Sequence, residues 1–250
     1  MSRTCPARRW FQQGRLLEID RLPAVDFQMH SQWTDGRSPV GEMIRAADAK
    51  SLRAMAITEH VNSQSAWYPE FVAEVKAERQ RSGDVAVYFG AEIAAADYRG
   101  GLKADPSQLE AELILGVVHR LPKEDGSGFW SFDELRAEDA IELEIRALTG
   151  LASNRQIDVI GHPGGIAFKK FGAFPVEWME PVFCAAREHG IAVELNTKYL
   201  WDLAGMLALL RRVDPLVSFG SDAHEATEVG SNFTSLRGAS AQPRISLSTP

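Results

Sequence analysis

Cysteine is scarce in this 250-residue chain, and its scarcity excludes a fold held together by disulfides. Cys5 and Cys184 are far apart, and neither lies in a spacing typical of zinc ligands. Two unpaired cysteines are typical of a protein that folds in a reducing compartment. We therefore expect free thiols and a cytoplasmic location.

Long hydrophobic runs and an excess of basic residues are also missing. No apolar run approaches the roughly 18 residues of a membrane span, and no apolar signal core follows Arg3, Arg8 and Arg9. The formal net charge is -7, whereas a non-specific nucleic-acid binder needs a basic face. The sequence predicts neither a membrane protein nor non-specific binding to nucleic acid.

Short apolar runs alternate with helix-like stretches along nearly the whole chain. We predict seven strands, over residues 24–30, 54–60, 85–93, 113–119, 158–161, 191–196 and 216–220. Helices are expected over residues 38–50, 68–81, 131–153, 176–189 and 200–213. Ser131 and Glu134 have the spacing of a capping box, which predicts the start of the third helix.

This alternation favours an α/β fold, because near-continuous apolar strands are typical of a parallel sheet covered by helices. A closed or nearly closed parallel barrel fits the strand count. An open doubly wound sheet is the alternative, but its Gly-rich phosphate turn after the first strand is missing. We expect one domain over residues 1–250, with an N-terminal extension over 1–22 and a loose polar tail over 238–250.

Five of the six histidines stand at or just past the end of a predicted strand, with three acidic residues in similar places. These residues are His30, His60, His119, His162, His224, Asp35, Glu92 and Asp222. Strand C-termini of a parallel barrel open onto one face, so the side chains should converge. Imidazoles and carboxylates together are ligands for divalent metal ions.

Each of these residues also has a structural interpretation. A lone histidine is often bonded to backbone, but that coincidence would have to occur at five strand ends. Asp35 could form a turn, and Asp222 could cap a helical turn. Glu92 would be costly to bury without an ion or partner, which favours its role as a ligand. His189 differs, because it ends a predicted helix, where an imidazole complements the terminal carbonyls.

Seven short motifs occur in an order that resembles the PHP family, named for its polymerase and histidinol phosphatase members. They are Asp-Phe-Gln-Met-His-Ser at 26–31, Thr-Asp-Gly at 34–36, Ile-Thr-Glu-His at 57–60, Gly-Ala-Glu at 90–92, Gly-Val-Val-His at 116–119, Gly-His-Pro at 161–163 and Gly-Ser-Asp-Ala-His at 220–224. The resemblance implies a distorted seven-stranded (β/α)7 barrel, similar to a TIM barrel, that hydrolyses phosphoesters with two or three divalent ions. Manganese, iron and zinc all suit such a mixed nitrogen and oxygen shell.

The resemblance also implies how nine ligands would be shared among the ions. Gln28, His30, Glu92 and Asp222 would surround the first ion. Glu92 would bridge to a second ion, held also by His119 and His162, and Asp35, His60 and His224 would hold a third.

Gln28 departs from the family pattern, which has histidine at this position. A neutral amide oxygen is a weaker donor than imidazole for transition-type ions. The first site should therefore bind its ion more loosely, or depend mainly on Glu92 and Asp222.

The leading hypothesis is hydrolysis of a phosphate ester on a small phosphorylated substrate by a hydroxide that bridges the metal ions. Asp35, Glu92, Asp222 and His224 are the expected catalytic residues. Asp35 or a nearby histidine would protonate the leaving oxygen. Arg120 and Lys198 are the candidates for gripping the substrate phosphate.

Two alternatives remain open. An amidohydrolase-like enzyme would use a lysine at a strand end as a bridging carbamate, and we find none at the expected positions. A degenerate barrel that binds without catalysis is the other, and Gln28 is what suggests it. The sequence leaves the oligomeric state undetermined.

Overall fold

The computed structural model describes residues 4–172, 174–200 and 202–240, and an eight-stranded sheet forms its centre. The strands are β1 (Gln12–Gln13), β2 (Val25–Asp26), β3 (Ala54–His60), β4 (Ala86–Ala94), β5 (Leu113–Val117), β6 (Val159–Ile160), β7 (Ala192–Leu195) and β8 (Leu216–Phe219). Their order across the sheet is β1-β8-β7-β6-β5-β4-β3-β2. Strands β2 to β8 are parallel, and β1 pairs antiparallel with β8.

The α/β architecture is therefore confirmed, but the sheet has eight strands where we expected seven. The additional strand is β1, which lies in the expected N-terminal extension. It is only two residues long and consists of glutamines, so it carries no apolar signal that sequence analysis could detect.

The sheet is curled, so that the segments following β2 and β8 lie side by side. The amide of Phe27 donates to the carbonyl of Phe219 at 2.8 Å, and the amide of Asp222 donates to the carbonyl of Gln28 at 2.9 Å. This irregular pairing explains why β2 ends at Asp26, although we expected the strand to reach residue 30. It also brings the first and last motifs of the chain together.

Helices cover the sheet, and seven α-helices lie in the described residues. They are α1 (Val40–Ala49), α2 (Tyr68–Arg79), α3 (Ala137–Ala152), α4 (Gly165–Phe171), α5 (Glu180–His189), α6 (Leu203–Val213) and α7 (Ser231–Ser240). Five of them fall in predicted segments, whereas α4 and α7 were not predicted. None of the described helices is both long and apolar enough to cross a membrane.

Three local expectations need correction. The capping box of Ser131 and Glu134 exists, but it opens a 3-10 turn at Phe132–Glu134, and α3 begins three residues later. The segment before α5 is likewise a 3-10 turn, Val176–Met179. Residues 238–240 of the expected loose tail end helix α7, and residues 241–250 lie outside the described residues.

The core lies between the helices and the sheet, and it continues up to the carboxyl ends of the strands. Phe27, Met29, Ile57 and Ile93 are among its largest fully buried side chains. All four lie within three residues of a predicted ligand. The ligand candidates are therefore held by rigid, fully packed backbone.

Candidate metal site

The nine predicted ligands meet at the carboxyl end of the parallel strands, as expected from their positions in the sequence. Seven of them line a single cavity of about 670 Å³: Asp35, His60, Glu92, His119, His162, Asp222 and His224. Gln28 and His30 are completely buried, and both lie next to Glu92.

Glu92 is the centre of the site. Its carboxylate lies 2.6 Å from His60 Nδ1, 3.0 Å from His162 Nε2, and 3.4 Å from Nε2 of both His30 and His119. Burial alone would raise the pKa of Glu92, but the charge and hydrogen bonds of the surrounding imidazoles hold it well below its usual value. The group is thus a buried carboxylate shared by four imidazoles.

Glycines allow the strands that carry these ligands to approach closely. A Cβ atom at Gly90, two residues before Glu92, would lie 2.4 Å from the carbonyl oxygen of Leu113 in β5. No side chain fits in that space, so only glycine permits this approach of β4 to β5.

Two predicted ligands have left-handed backbone conformations, with φ of 27° at His162 and 52° at Asp222. Such conformations are costly for residues other than glycine, and they persist where surrounding contacts enforce them. The His162 amide donates to Glu194 at 2.6 Å. The hydroxyl of Tyr199 donates to the Asp222 carboxylate at 2.5 Å. These contacts aim both side chains into the cavity.

Asp35 lies at the mouth of the cavity between two imidazoles. Its carboxylate oxygens are 3.3 Å from His60 Nε2 and 3.4 Å from His224 Nε2. The loop that carries Asp35 is anchored by buried Glu59, which accepts hydrogen bonds from the amide of Ser31 at 2.8 Å and from the hydroxyl of Thr34. Glu59 therefore positions a loop.

The donor atoms fit a divalent metal ion. Ligand atoms of His30, His60 and His224 lie within 4.8 Å of one another, and so do those of His60, Glu92 and His119. Among the described residues, neither ring nitrogen of buried His30 forms a hydrogen bond, and Oε2 of Glu92, although 2.6 Å from His60 Nδ1, has no partner in hydrogen-bond geometry. Buried polar atoms are normally satisfied, and a cation at this point would satisfy these atoms. The family resemblance assigns His30 to the first ion but His60 and His224 to the third. The first group of three therefore combines ligands that were expected at different ions.

Protons compete for the same nitrogens. Burial opposes the charged forms of His60 and His162, yet contact with Glu92 raises the pKa of each to about 9. Because only neutral imidazole can ligate, ion binding would have to release these protons.

The amide of Gln28 has an unexpected orientation. Its nitrogen donates to Glu92 Oε1 at 2.8 Å, so the amide oxygen that we expected as a ligand faces away from Glu92. Asn196 lies on that other side, with Nδ2 3.4 Å from Gln28 Oε1. Sequence analysis did not single out Asn196.

The two predicted phosphate-binding residues have different environments. Lys198 lines the cavity and donates to the carbonyl oxygen of Asp222 at 2.8 Å. Arg120 is exposed and does not line the cavity; its guanidinium lies 5.9 Å from the ring centroid of Phe129. The chain bends at His119 and Arg120, past the end of β5, so adjacency in the sequence does not place the two side chains together.

Several residues of the cavity were missed by sequence analysis. They are Arg37, Lys103, Lys169 and Tyr199 in the lining, with Glu194 and Asn196 behind it. Lys169 lies on α4, which follows the Gly164–Gly165 pair, so recognition of that short helix would have drawn attention to it. No local signal distinguishes Lys103 from the other lysines of the chain.

Comparison with known proteins agrees with this geometry. A family profile described as PHP domain matches residues 26–198. A protein of Caldicellulosiruptor bescii named "Probable phosphatase" is 25% identical over 201 residues, which cover 76% of this chain and 74% of the relative. A protein of Edwardsiella ictaluri, also named a probable phosphatase, is 26% identical over 221 residues, covering 84% of this chain and 82% of the relative.

The fold also has counterparts among solved structures. The crystal structure of histidinol phosphate phosphatase from Lactococcus lactis subsp. lactis, complexed with zinc, L-histidinol and phosphate, superposes with a TM-score of 0.63 at 16% sequence identity. The match covers 88% of this chain and 94% of the other. At this identity the likeness concerns the fold.

Proposed function

Because the chain belongs to the PHP domain family, we propose that it is a metal-dependent phosphoesterase acting on a small phosphorylated substrate. The resemblance of the seven motifs to this family is thereby confirmed. One observation carries the proposal: a buried carboxylate is surrounded by four imidazoles at the base of a cavity that also holds lysines. The phosphatase names of the relatives support the same chemistry.

The ion-binding residues would be Glu92 and the histidines around it, with Asp35 and Asp222. We propose two or three ions of manganese, iron or zinc. When bound, such ions supply positive charge for the phosphoryl oxygens and lower the pKa of a coordinated water.

Side chains of the protein itself would orient the substrate and protonate its leaving group. Lys198, fixed by its bond to the carbonyl oxygen of Asp222, would grip a phosphoryl oxygen. Asp35 and His224 form a pair at the cavity mouth, where the leaving group would emerge. We propose that this pair donates a proton to the leaving oxygen. Glu92 and Asp222 would hold their imidazole neighbours in place.

A substrate panel with a matched pair of variants tests this proposal. Protein loaded with manganese, zinc or iron is offered phosphomonoesters, phosphodiesters and nucleotides, and phosphate release is measured. We expect activity on at least one class, and Glu92→Gln should lower kcat/KM at least about 100-fold, since even second-sphere changes at metal sites cost 10- to 100-fold. Glu110→Gln, which alters an exposed ion pair with Lys76, should leave activity unchanged.

Two outcomes would contradict the proposal. Hydrolysis of amides or lactones with no phosphoester cleaved would indicate an amidohydrolase. Fewer than one tightly bound ion per chain, unrestored by added metal, would indicate a binding module without catalysis.

A further inference from the structure

A chain of hydrogen bonds that begins at the backbone determines the orientation of the Gln28 amide. The backbone nitrogen of Lys198 donates to Asn196 Oδ1 at 3.0 Å. A backbone N–H can only donate, so the amide oxygen of Asn196 must face it. The nitrogen of Asn196 therefore points the other way, and it donates to Gln28 Oε1 at 3.4 Å.

Glu92, at the other end of this series of hydrogen bonds, imposes the same orientation. Ring nitrogens of four histidines face the two oxygens of Glu92, and a carboxylate oxygen accepts hydrogen bonds. The atom of Gln28 that lies 2.8 Å from Glu92 Oε1 must therefore be the amide nitrogen. The backbone N–H of Lys198 and the carboxylate of Glu92 therefore impose the same orientation on both amides.

Burial makes a reversal of this arrangement costly. Gln28 is fully buried, so water cannot satisfy the groups that a reversed amide would leave without a partner. Turning the Gln28 amide over would place its oxygen against the Glu92 carboxylate and its nitrogen against the nitrogen of Asn196. Turning Asn196 as well would place two donors, its own nitrogen and the Lys198 amide, face to face.

We infer that Gln28 is a positioning residue in this protein and ligates no metal ion. Its nitrogen is a donor only, and its oxygen faces Asn196, away from Glu92. The amide instead holds Glu92 Oε1, which leaves Oε2 facing the rings of His30 and His60. Histidine in the family pattern supplies a ligand, whereas this chain uses position 28 to orient one. The inference rests on metal binding as proposed above.

The direct test is a crystal structure of the wild-type protein grown with manganese and located by anomalous scattering. We expect Gln28 Nε2 to remain hydrogen-bonded to Glu92, with Gln28 Oε1 more than about 3 Å from every ion, beyond the range of oxygen ligands. An Oε1 atom about 2.0–2.6 Å from an ion would overturn the inference and leave the proposed phosphoesterase intact. Absence of any bound manganese would overturn both.

Two matched variants give an independent measurement. Gln28→Leu removes a glutamine bonded to a carboxylate inside the site, and Gln108→Leu removes one bonded to Asp105 on the surface. For a positioning residue, Gln28→Leu should keep the wild-type number of manganese ions per chain, weaken their binding about 10- to 100-fold, and lower the melting temperature of the chelated protein. Loss of one ion, with a chelated melting temperature equal to that of Gln108→Leu, would contradict the inference. If Gln28→Leu does not fold, the wild-type crystal structure decides.

Discussion

Three lysines line the same cavity as the histidines. Lys198 pairs with Asp222, whereas Lys103 and Lys169 form no ion pair among the described residues. Lys103 follows β4, and its ammonium lies 4.3 Å from the ring centroid of Phe129. Burial and the nearby charge of Arg120 lower its pKa, as expected where no carboxylate compensates a cation. Lys169, on α4, lines another part of the wall.

Backbone contacts hold Lys103 in place. Its amide donates to the carbonyl oxygen of Ala94 at 3.0 Å, and its carbonyl oxygen accepts from the amide of Ser63 at 3.0 Å. A positive charge on an anchored segment of backbone, without an ion-pair partner among the described residues, suits a substrate with a second negatively charged group.

At the residue scale we therefore expect these lysines to select for doubly anionic substrates. Lys103→Met and Lys169→Met should each lower kcat/KM at least about tenfold for a substrate with two phosphate groups, since a charge-assisted hydrogen bond contributes about 1.5–3 kcal/mol. The loss should be smaller for a neutral alcohol carrying one phosphate. Steady-state kinetics on both substrates gives the comparison.

Lys170→Met is the matched control, because Lys170 is exposed on the same helix and packs over Phe132 without lining the cavity. Equal losses on both substrates, or an effect of Lys170→Met as large as that of Lys169→Met, would contradict the assignment.

One helix caps another beside the site. Glu144 of α3 accepts hydrogen bonds from the amides of Ile166 at 3.2 Å and Ala167 at 2.8 Å, in the first turn of α4. Helix α4 has no side-chain cap of its own, so the distant glutamate satisfies amides that would otherwise be orphaned. The contact fixes the position of α4, and with it the position of Lys169.

At the element scale this contact predicts a pH dependence of stability. Burial raises the pKa of Glu144 to about 7, although the amides of Ala167 and Ile166 oppose that shift. The folded protein therefore holds this proton more tightly than the unfolded chain. Its contribution to stability is complete below the unfolded pKa of about 4.5 and is lost as the pH rises through about 7.

The measurement is the free energy of unfolding against pH for wild type and Glu144→Gln. We expect the wild type to lose on the order of 3 kcal/mol relative to Glu144→Gln between pH 4.5 and pH 8, from about 1.4 kcal/mol per unit of pKa shift. Glu142→Gln, an exposed change on the same helix, should track the wild type. Parallel curves for wild type and Glu144→Gln would refute the role of this proton.

Asp26 links segments that lie near the two ends of the chain. This buried carboxylate at the end of β2 accepts from the amide of Ser221 at 2.8 Å, the hydroxyl of Ser221 at 2.6 Å and the amide of Gly230 at 2.7 Å. These partners lie 195 or more residues away along the chain. One side chain therefore links the first parallel strand to the last motif and to the segment that follows it.

At this scale we expect Asp26→Asn to lower the free energy of unfolding by about 2–5 kcal/mol. The asparagine nitrogen would face donors that a carboxylate satisfies, and hydrogen bonds to charged groups are worth more than neutral ones. Urea unfolding at pH 8 tests this, because burial raises the Asp26 pKa to about 6 and the group is ionised there. Asp84→Asn, at an exposed position, should change stability by less than about 0.5 kcal/mol. Equal urea midpoints for Asp26→Asn and Asp84→Asn would contradict this role of Asp26.

The sequence by itself determined the α/β architecture and most of the side chains that meet at the carboxyl ends of the strands. Strand and helix periodicities are local, so most elements could be located from runs of a few residues. The histidines could be assigned to one site because parallel strands end on one face, a rule that needs no coordinates. His60, His119, His162 and Glu92 follow directly from those two facts.

Tertiary structure decided what depends on contacts between distant segments. The direction of the Gln28 amide depends on Asn196 and Lys198, far along the chain. The identity of the lysines in the cavity wall depends on which side chains point inward, and the cap of α4 comes from another helix. Composition and spacing do not encode such contacts, because they form between segments that only the folded chain brings together.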